Sequence, residues 1–142
     1  MKIGFDISPL LWGKKAGIGW YTYNLIKNIE KVDKENIYVL YGSCFRQYKE
    51  KYEIKKDFNS ENFYIVVKRL PNRIYNYTVQ RFLPVEFLYG KFDLIHTLHI
   101  FSPLSLYSKQ IITIHDLTPL INPNWFLQSD SEKFKFIISK AI

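Results

Sequence analysis

The sequence predicts a doubly wound α/β fold on a mostly parallel, Rossmann-like sheet. Three observations carry that expectation. Short, continuous, β-branched apolar runs recur along the chain, as in strands covered on both faces. Segments of helical spacing lie between most of them. The first strand feeds a loop holding Gly13 and Gly17 that opens directly into a helix, the usual start of such a fold.

In chain order, Ile3, Phe5 and Ile7 alternate as a strand. The loop 8–17 carries Pro9, Lys14 and Lys15 with its glycines, and a helix begins near Ile18 and Gly19. Ile18, Tyr21, Leu25, Ile29 and Val32 have the spacing of its buried stripe. Residues 37–41 form a buried strand ended by Gly42 and Ser43. Segment 45–62 is polar and Lys/Glu-rich, with room for a short surface helix, and 63–67 is a third strand. Residues 71–90 are helical, opened by Pro71, closed by Gly90 and split or kinked by Pro84. Tyr75, Val79, Phe82 and Leu83 form their buried stripe.

Residues 92–96 and 110–114 are the fourth and fifth strands, each followed by a loop. Ser129 and Glu132 make a capping box that opens a last helix, with Phe134, Ile137, Ile138 and Ala141 on one face. Its pattern still runs at Ile142 with neither Gly nor Asn to close it. That predicts the first part of a longer protein, or a frayed terminal helix.

The 142 residues suit one domain with a substantial core. Hydrophobic residues at 47% argue against disorder. A single cysteine, Cys44, excludes an internal disulfide framework and fits a reducing compartment. No apolar run reaches membrane-spanning length, and the N-terminus lacks a signal-peptide core. The expected location is therefore cytoplasmic. The net charge of +7 favours phosphate-bearing partners, whether a nucleotide, a nucleic acid or an anionic membrane surface; a bias toward Lys, Ile, Asn, Tyr and Phe produces the same charge.

A strand, a glycine loop and a helix N-terminus together suit an anion, because the first N–H groups of a helix lack partners. Gly17-Ile18-Gly19 is a poor dinucleotide fingerprint: it comes about ten residues too late, and no acid ends the second strand. There is no Walker loop and no Gly-x-Ser-x-Gly elbow. The three histidines, His96, His99 and His115, cluster at or just past strands four and five, where such sheets bind ligands. There they can meet a sugar hydroxyl or a phosphate oxygen, with Asp116 orienting His115 or accepting from a hydroxyl. His96 and His99 lack the further ligands of a zinc site. No nucleic-acid motif is present, so no nucleic-acid partner is expected.

Four strings carry a family likeness: Lys2-Ile3-Gly4-Phe5-Asp6-Ile7-Ser8-Pro9-Leu10-Leu11, Ala16-Gly17-Ile18-Gly19-Trp20-Tyr21-Thr22-Tyr23-Asn24-Leu25, Phe92-Asp93-Leu94-Ile95-His96, and Ile112-Thr113-Ile114-His115-Asp116-Leu117-Thr118-Pro119-Leu120. With them the chain resembles the N-terminal half of family 4 (group 1) glycosyltransferases. These are retaining GT-B enzymes, here of the mannosyl- and rhamnosyltransferase kind that builds surface polysaccharide. The resemblance implies that residues 1–142 are one Rossmann-like, acceptor-side domain. It implies a donor diphosphate at Gly17, Ile18 and Gly19, catalytic His115 and Asp116, and an acceptor side at His96, His99 and Thr118, with no metal and no cofactor. The partners would be a nucleotide-sugar donor and a glycan or lipid-linked acceptor, with peripheral contact at the cytoplasmic membrane face. A second domain, bearing a Glu-x7-Glu element, would complete the site, so the chain alone would have little activity. The family often has Arg where this chain has Trp20. The alternative expectation is a non-catalytic remnant that binds a partner or a membrane.

Overall fold

The computed structural model describes residues 1–11, 13, 15–46, 50–99 and 104–141; within these, the side chains of 50, 72, 76, 80, 81, 129, 130, 133, 140 and 141 lie outside the description. Among the described residues, five strands form one sheet: β1 (Lys2–Asp6), β2 (Ile37–Ser43), β3 (Phe63–Lys68), β4 (Leu94–Thr97) and β5 (Lys109–Ile112). All pairings are parallel, in the order β3-β2-β1-β4-β5. The α-helices are α1 (Gly17–Val32), α2 (Glu50–Asp57), α3 (Asn72–Arg81), α4 (Val85–Tyr89), α5 (Thr118–Ile121) and α6 (Gln128–Ala141). The chain builds outward from β1 to β3, then crosses back to place β4 on the other side of β1. That reversal is the mark of a doubly wound sheet and sets its ligand crevice beyond the carboxyl ends of β1 and β4.

Side chains alternate across the sheet, so each strand feeds two cores. Phe5, Ile7, Tyr38 and Leu40 meet Ile26 of α1 and Ile54 of α2, with Phe58 just beyond, on one face. Val39, Tyr41 and Ile95 meet Tyr75 and Val79 of α3 and Val85 and Tyr89 of α4 on the other. Cys44 is buried in the first core, although a polar, Lys/Glu-rich segment follows it. Gly4 is needed where it stands: a Cβ there would sit 3.1 Å from the Tyr41 ring and 3.2 Å from Phe92. Gly90 closes α4 at φ 83°, a left-handed conformation that suits glycine. Phe82, Leu83 and Pro84 separate α3 from α4, as a proline there dictates.

Several details differ from the sequence reading. On α1 the buried positions are Gly19, Thr22, Ile26 and Glu30, while Ile18, Tyr21 and Val32 are exposed. Small residues win that face because the helix lies against the turn after β1. A Cβ on Gly19 would stand 3.3 Å from the Pro9 carbonyl oxygen. Glu30 is buried because its carboxylate accepts from the N–H groups of Asn59 (2.9 Å) and Ser60 (3.1 Å) and from Lys27 (2.7 Å). On α3 the helix ends at Arg81, so Phe82 swings outward and is exposed.

The fourth strand starts later than expected, at Leu94, because Asp93 is spent on β1: its Oδ2 accepts the Lys2 N–H at 2.6 Å. The fifth ends early, at Ile112, although Thr113 N–H still donates to the Thr97 carbonyl at 2.9 Å before the chain turns away. The last helix, α6, begins ahead of the expected cap at Ser129. The helix starts at Gln128, whose side-chain amide donates to Glu132 at 2.9 Å, one turn along. The side chains of Ser129 and Ala141 lie outside the described residues, as do Trp12, Lys14 and Lys49.

Candidate functional site

The first wall of the crevice is the start of α1. Its N-cap is Ala16, with no side-chain cap and no acid in the first turn. The early N–H groups therefore point out with the positive end of the helix dipole behind them. Gly17 and Gly19, which look alike in sequence, differ here. Gly17 is exposed and a Cβ on it would meet nothing within 4 Å, so the fold does not require glycine there. Gly19 is a packing glycine against Pro9. Lys15 does not face outward as a free charge: its ammonium lies 4.0 Å from the Tyr23 ring centre and 3.9 Å from the Asp57 carboxylate.

The second wall comes from the ends of β4 and β5. His115 leaves β5 and turns back so that its Nε2 lies 3.0 Å from the Leu98 carbonyl oxygen. A carbonyl only accepts, so Nε2 carries the proton and Nδ1 is the other ring nitrogen of the tautomer. The ring stands edge-on to Tyr21 of α1, with centroids 4.9 Å apart. His115 thus meets the N-terminal part of α1 through Tyr21. Asp116, two residues before α5, accepts from the Thr118 N–H at 2.8 Å and from the Thr118 hydroxyl. Those bonds hold its carboxyl below the usual range. The two residues shape the loop together, and no hydrogen bond between Asp116 and His115 is among those described.

His96 and His99 part company. His96 faces the α1 side of the sheet, its ring 5.2 Å from that of Phe5 and its Nε2 2.9 Å from the Thr113 hydroxyl. Burial lowers its pKa, so the neutral ring is favoured. His99 faces the other side, where its Nε2 lies 3.2 Å from Asp6 Oδ2. The two rings cannot share a zinc ion from opposite faces. Among the described residues no cluster of three or more His, Cys, Asp or Glu stands together as a metal site. The predicted acceptor loop continues through residues 100–103, which lie outside the described residues.

Asp6 is the residue that sequence reasoning passed over. It ends β1 at the reversal point, is only 4% exposed, and accepts the Ser8 N–H at 2.9 Å through its other oxygen. Burial alone would raise its pKa, but His99 and Ser8 outweigh it and hold the carboxyl below its ordinary value. The available signal was an acid directly after an apolar strand, followed by the Ser-Pro start of a turn. On the same face lie the buried hydroxyls of Tyr41, Tyr75 and Thr97; those of Tyr41 and Thr97 have no hydrogen-bond partner among the described residues. Burial first, and the Asp6 charge second, push both phenols well above their usual pKa.

A cavity of about 560 Å³ opens at the other end of the sheet, lined by residues such as Lys34, Asn59, Asn62 and Tyr64. The Asn62 amide there is committed to the chain, donating to Asn36 (2.8 Å) and Asp33 (3.2 Å) carbonyls. That end of a doubly wound sheet supports the fold, and the chemistry belongs at the carboxyl ends. There the chain offers uncapped helix amides, one exposed imidazole and a buried acid–imidazole pair. Comparison with protein-family models, with curated proteins and with solved structures gives no match, so the site is read from its own geometry.

Proposed function

We propose that this chain is the acceptor-side domain of a retaining, metal-independent glycosyltransferase. It moves a sugar from a nucleotide-sugar donor to a glycan or lipid-linked acceptor. The observation that carries the reading is the meeting of His115 with the open start of α1 across the crevice. Gly17, Ile18 and Gly19 offer backbone amides to the donor diphosphate, and Gly17 leaves room for a close approach. His115 stands beside the reacting sugar, and Asp116 with Thr118 holds its loop. Retaining transfer then rests on positioning and on stabilising the leaving diphosphate. The donor's own phosphate takes the acceptor proton.

Titration of the isotope-labelled chain with inorganic pyrophosphate tests the anion site. The amide signals of Gly17, Ile18 and Gly19 are expected to move first. No movement at about 10 mM, a concentration that would reveal even millimolar affinity, overturns it. The reading also places the nucleotide on a second domain. Purified 1–142 should therefore turn over nucleotide sugars slowly or not at all, and robust turnover would remove that part.

A second reading, peripheral membrane binding, is favoured by one observation. Ile74, Tyr77, Phe82 and Phe87 are exposed on and beside α3 and α4, and Arg73 lies among them. Tyr75 and Tyr89, which share this stretch, belong to the core instead. No helix among the described residues is long and apolar enough to cross a membrane, so the contact would be at the surface. Failure to pellet with anionic liposomes at low salt would dispose of it.

A further inference from the structure

Two walls that face one another need something that fixes their spacing. The connection in this chain runs through Asp6. One carboxylate oxygen accepts the Ser8 N–H and so holds the turn Ser8–Leu10, against which Gly19 of α1 rests. The other oxygen lies 3.2 Å from His99 Nε2. An ionised carboxylate only accepts, so that nitrogen carries the proton. His99 adjoins Leu98, whose carbonyl receives His115. The path from α1 to His115 is thus Gly19, Pro9 and Ser8, Asp6, His99, Leu98, His115. Each step is a hydrogen bond, a close contact or one peptide link.

Asp6 and His99 are also placed where a purely stabilising role is poorly served. Both are buried, and a carboxylate buried beside an imidazole returns little or no stability over an apolar pair of similar size. The pair sits at the reversal of strand order, where ligands bind in such sheets. We infer that Asp6 and His99 are positioning residues that lock the α1 wall and the His115 wall of the crevice to one another. The inference rests on the reading of those two walls as one transfer site, and it deepens that reading by naming what sets their separation.

The test uses the full chain and no ligand, so it fails or succeeds separately from the transferase assay. Two native-state signals are followed by NMR: the exchange rate of the Ser8 amide and the chemical shifts of the His115 ring. His99→Leu is expected to speed Ser8 exchange at least about tenfold, although His99 does not touch Ser8, and to move the His115 ring signals. His99→Gln, whose amide can still donate to Asp6, should restore both. Val67→Ala, a core truncation on the other face, lowers global stability and should leave the His115 signals in place. Should His99→Leu fail to fold, Asp6→Asn replaces it. Asn replaces one carboxylate oxygen by an amide, which turns a donor toward the Ser8 N–H or toward His99 Nε2, so the Ser8 or the His115 signal is expected to move. Unchanged signals in His99→Leu or in Asp6→Asn, or equal movement in Val67→Ala, overturn the inference.

Discussion

β1 and β5 belong to one parallel sheet and could hardly differ more. In β1, Gly4, Phe5 and Asp6 are buried between β2 and β4 and between two helical layers. In β5, Lys109, Gln110 and Ile111 are all exposed, and among the described residues β4 is its one strand neighbour. Beyond it, α5 and α6 pack on each other and on the turn Pro123–Trp125, with Trp125 and Leu127 exposed. Stability is therefore concentrated in the β1–β4 part, whereas the candidate site spans the boundary. Asp6, His99 and Gly19 stand on the buried side; His115 and Asp116 stand on the exposed side. The buried half sets the geometry, and the exposed half presents the imidazole.

The sharpest break of this comparison comes from matched truncations. Leu40→Ala, at a fully buried position of β2, should cost about 2–5 kcal/mol. Ile111→Ala, 46% exposed on β5, should cost less than about 1 kcal/mol. Urea unfolding of both variants checks the ratio. Equal losses would mean that β5 is as much a part of the cooperative core as β2.

The two kinds of glycine offer the next largest contrast. A Cβ on Gly42 would approach Leu11 Cδ1 to 2.7 Å, and Leu11 is itself fully buried. Gly42→Ala should therefore destabilise by about 1–3 kcal/mol, as overpacking does. Gly17→Ala meets open space and should be neutral or stabilising by up to about 1 kcal/mol, because alanine loses less chain entropy in a helix. If pyrophosphate binds at α1, that same variant should weaken the shifts at Ile18 and Gly19 while leaving the urea midpoint intact.

Much of this architecture was legible in the sequence, and the reasons are local. Ile37 to Tyr41 and Phe63 to Val67 read as strands because continuous apolar runs bounded by turns have few alternatives. Pro84 split the helical stretch because a missing N–H acts wherever it stands. What escaped was tertiary. Spacing alone placed Ile18 and Tyr21 inward on α1, but the carbonyl of Pro9 selects Gly19 for that face. No pattern announces that Glu30 will be buried by amides 29 and 30 residues away. The candidate site divided in the same way. Its position at the carboxyl ends of strands followed from the fold; the edge-on contact of His115 with Tyr21 of α1 did not. The separation of His96 from His99 follows from strand alternation once the register is known, yet three residues of spacing looked like proximity. The pairing of Asp6 with His99 was invisible because the two lie 93 residues apart.

The acid limb separates the two regions further. The Asp6 carboxyl is held below its ordinary pKa when folded. A depressed carboxylate contributes stability that is present above its unfolded value, near 3.9, and lost as the pH falls through the folded one. Glu30 is shifted the same way: burial opposes ionisation, and Lys27 with the Ser60 N–H outweighs it. Urea midpoints should thus drop as the pH falls below about 4. Asp6→Asn should start lower at pH 7 and fall less in that range. An unchanged slope in that variant would show that Asp6 does not couple protonation to folding.

The smallest effect is expected at Asp116, where the comparison makes its most specific claim. Its carboxylate is exposed and bonds to Thr118, two residues on. If the site's exposed half is held by such local contacts, Asp116→Ala should leave the urea midpoint where it is. The Thr118 amide should still lose its acceptor and exchange faster, and the loop after His115 should become more mobile than the residues that precede it. Asp116→Asn keeps an acceptor and should restore the protection. A fall in midpoint comparable to that of Leu40→Ala would tie the His115 loop into the core, and the boundary drawn between β4 and β5 would have to move outward to include it.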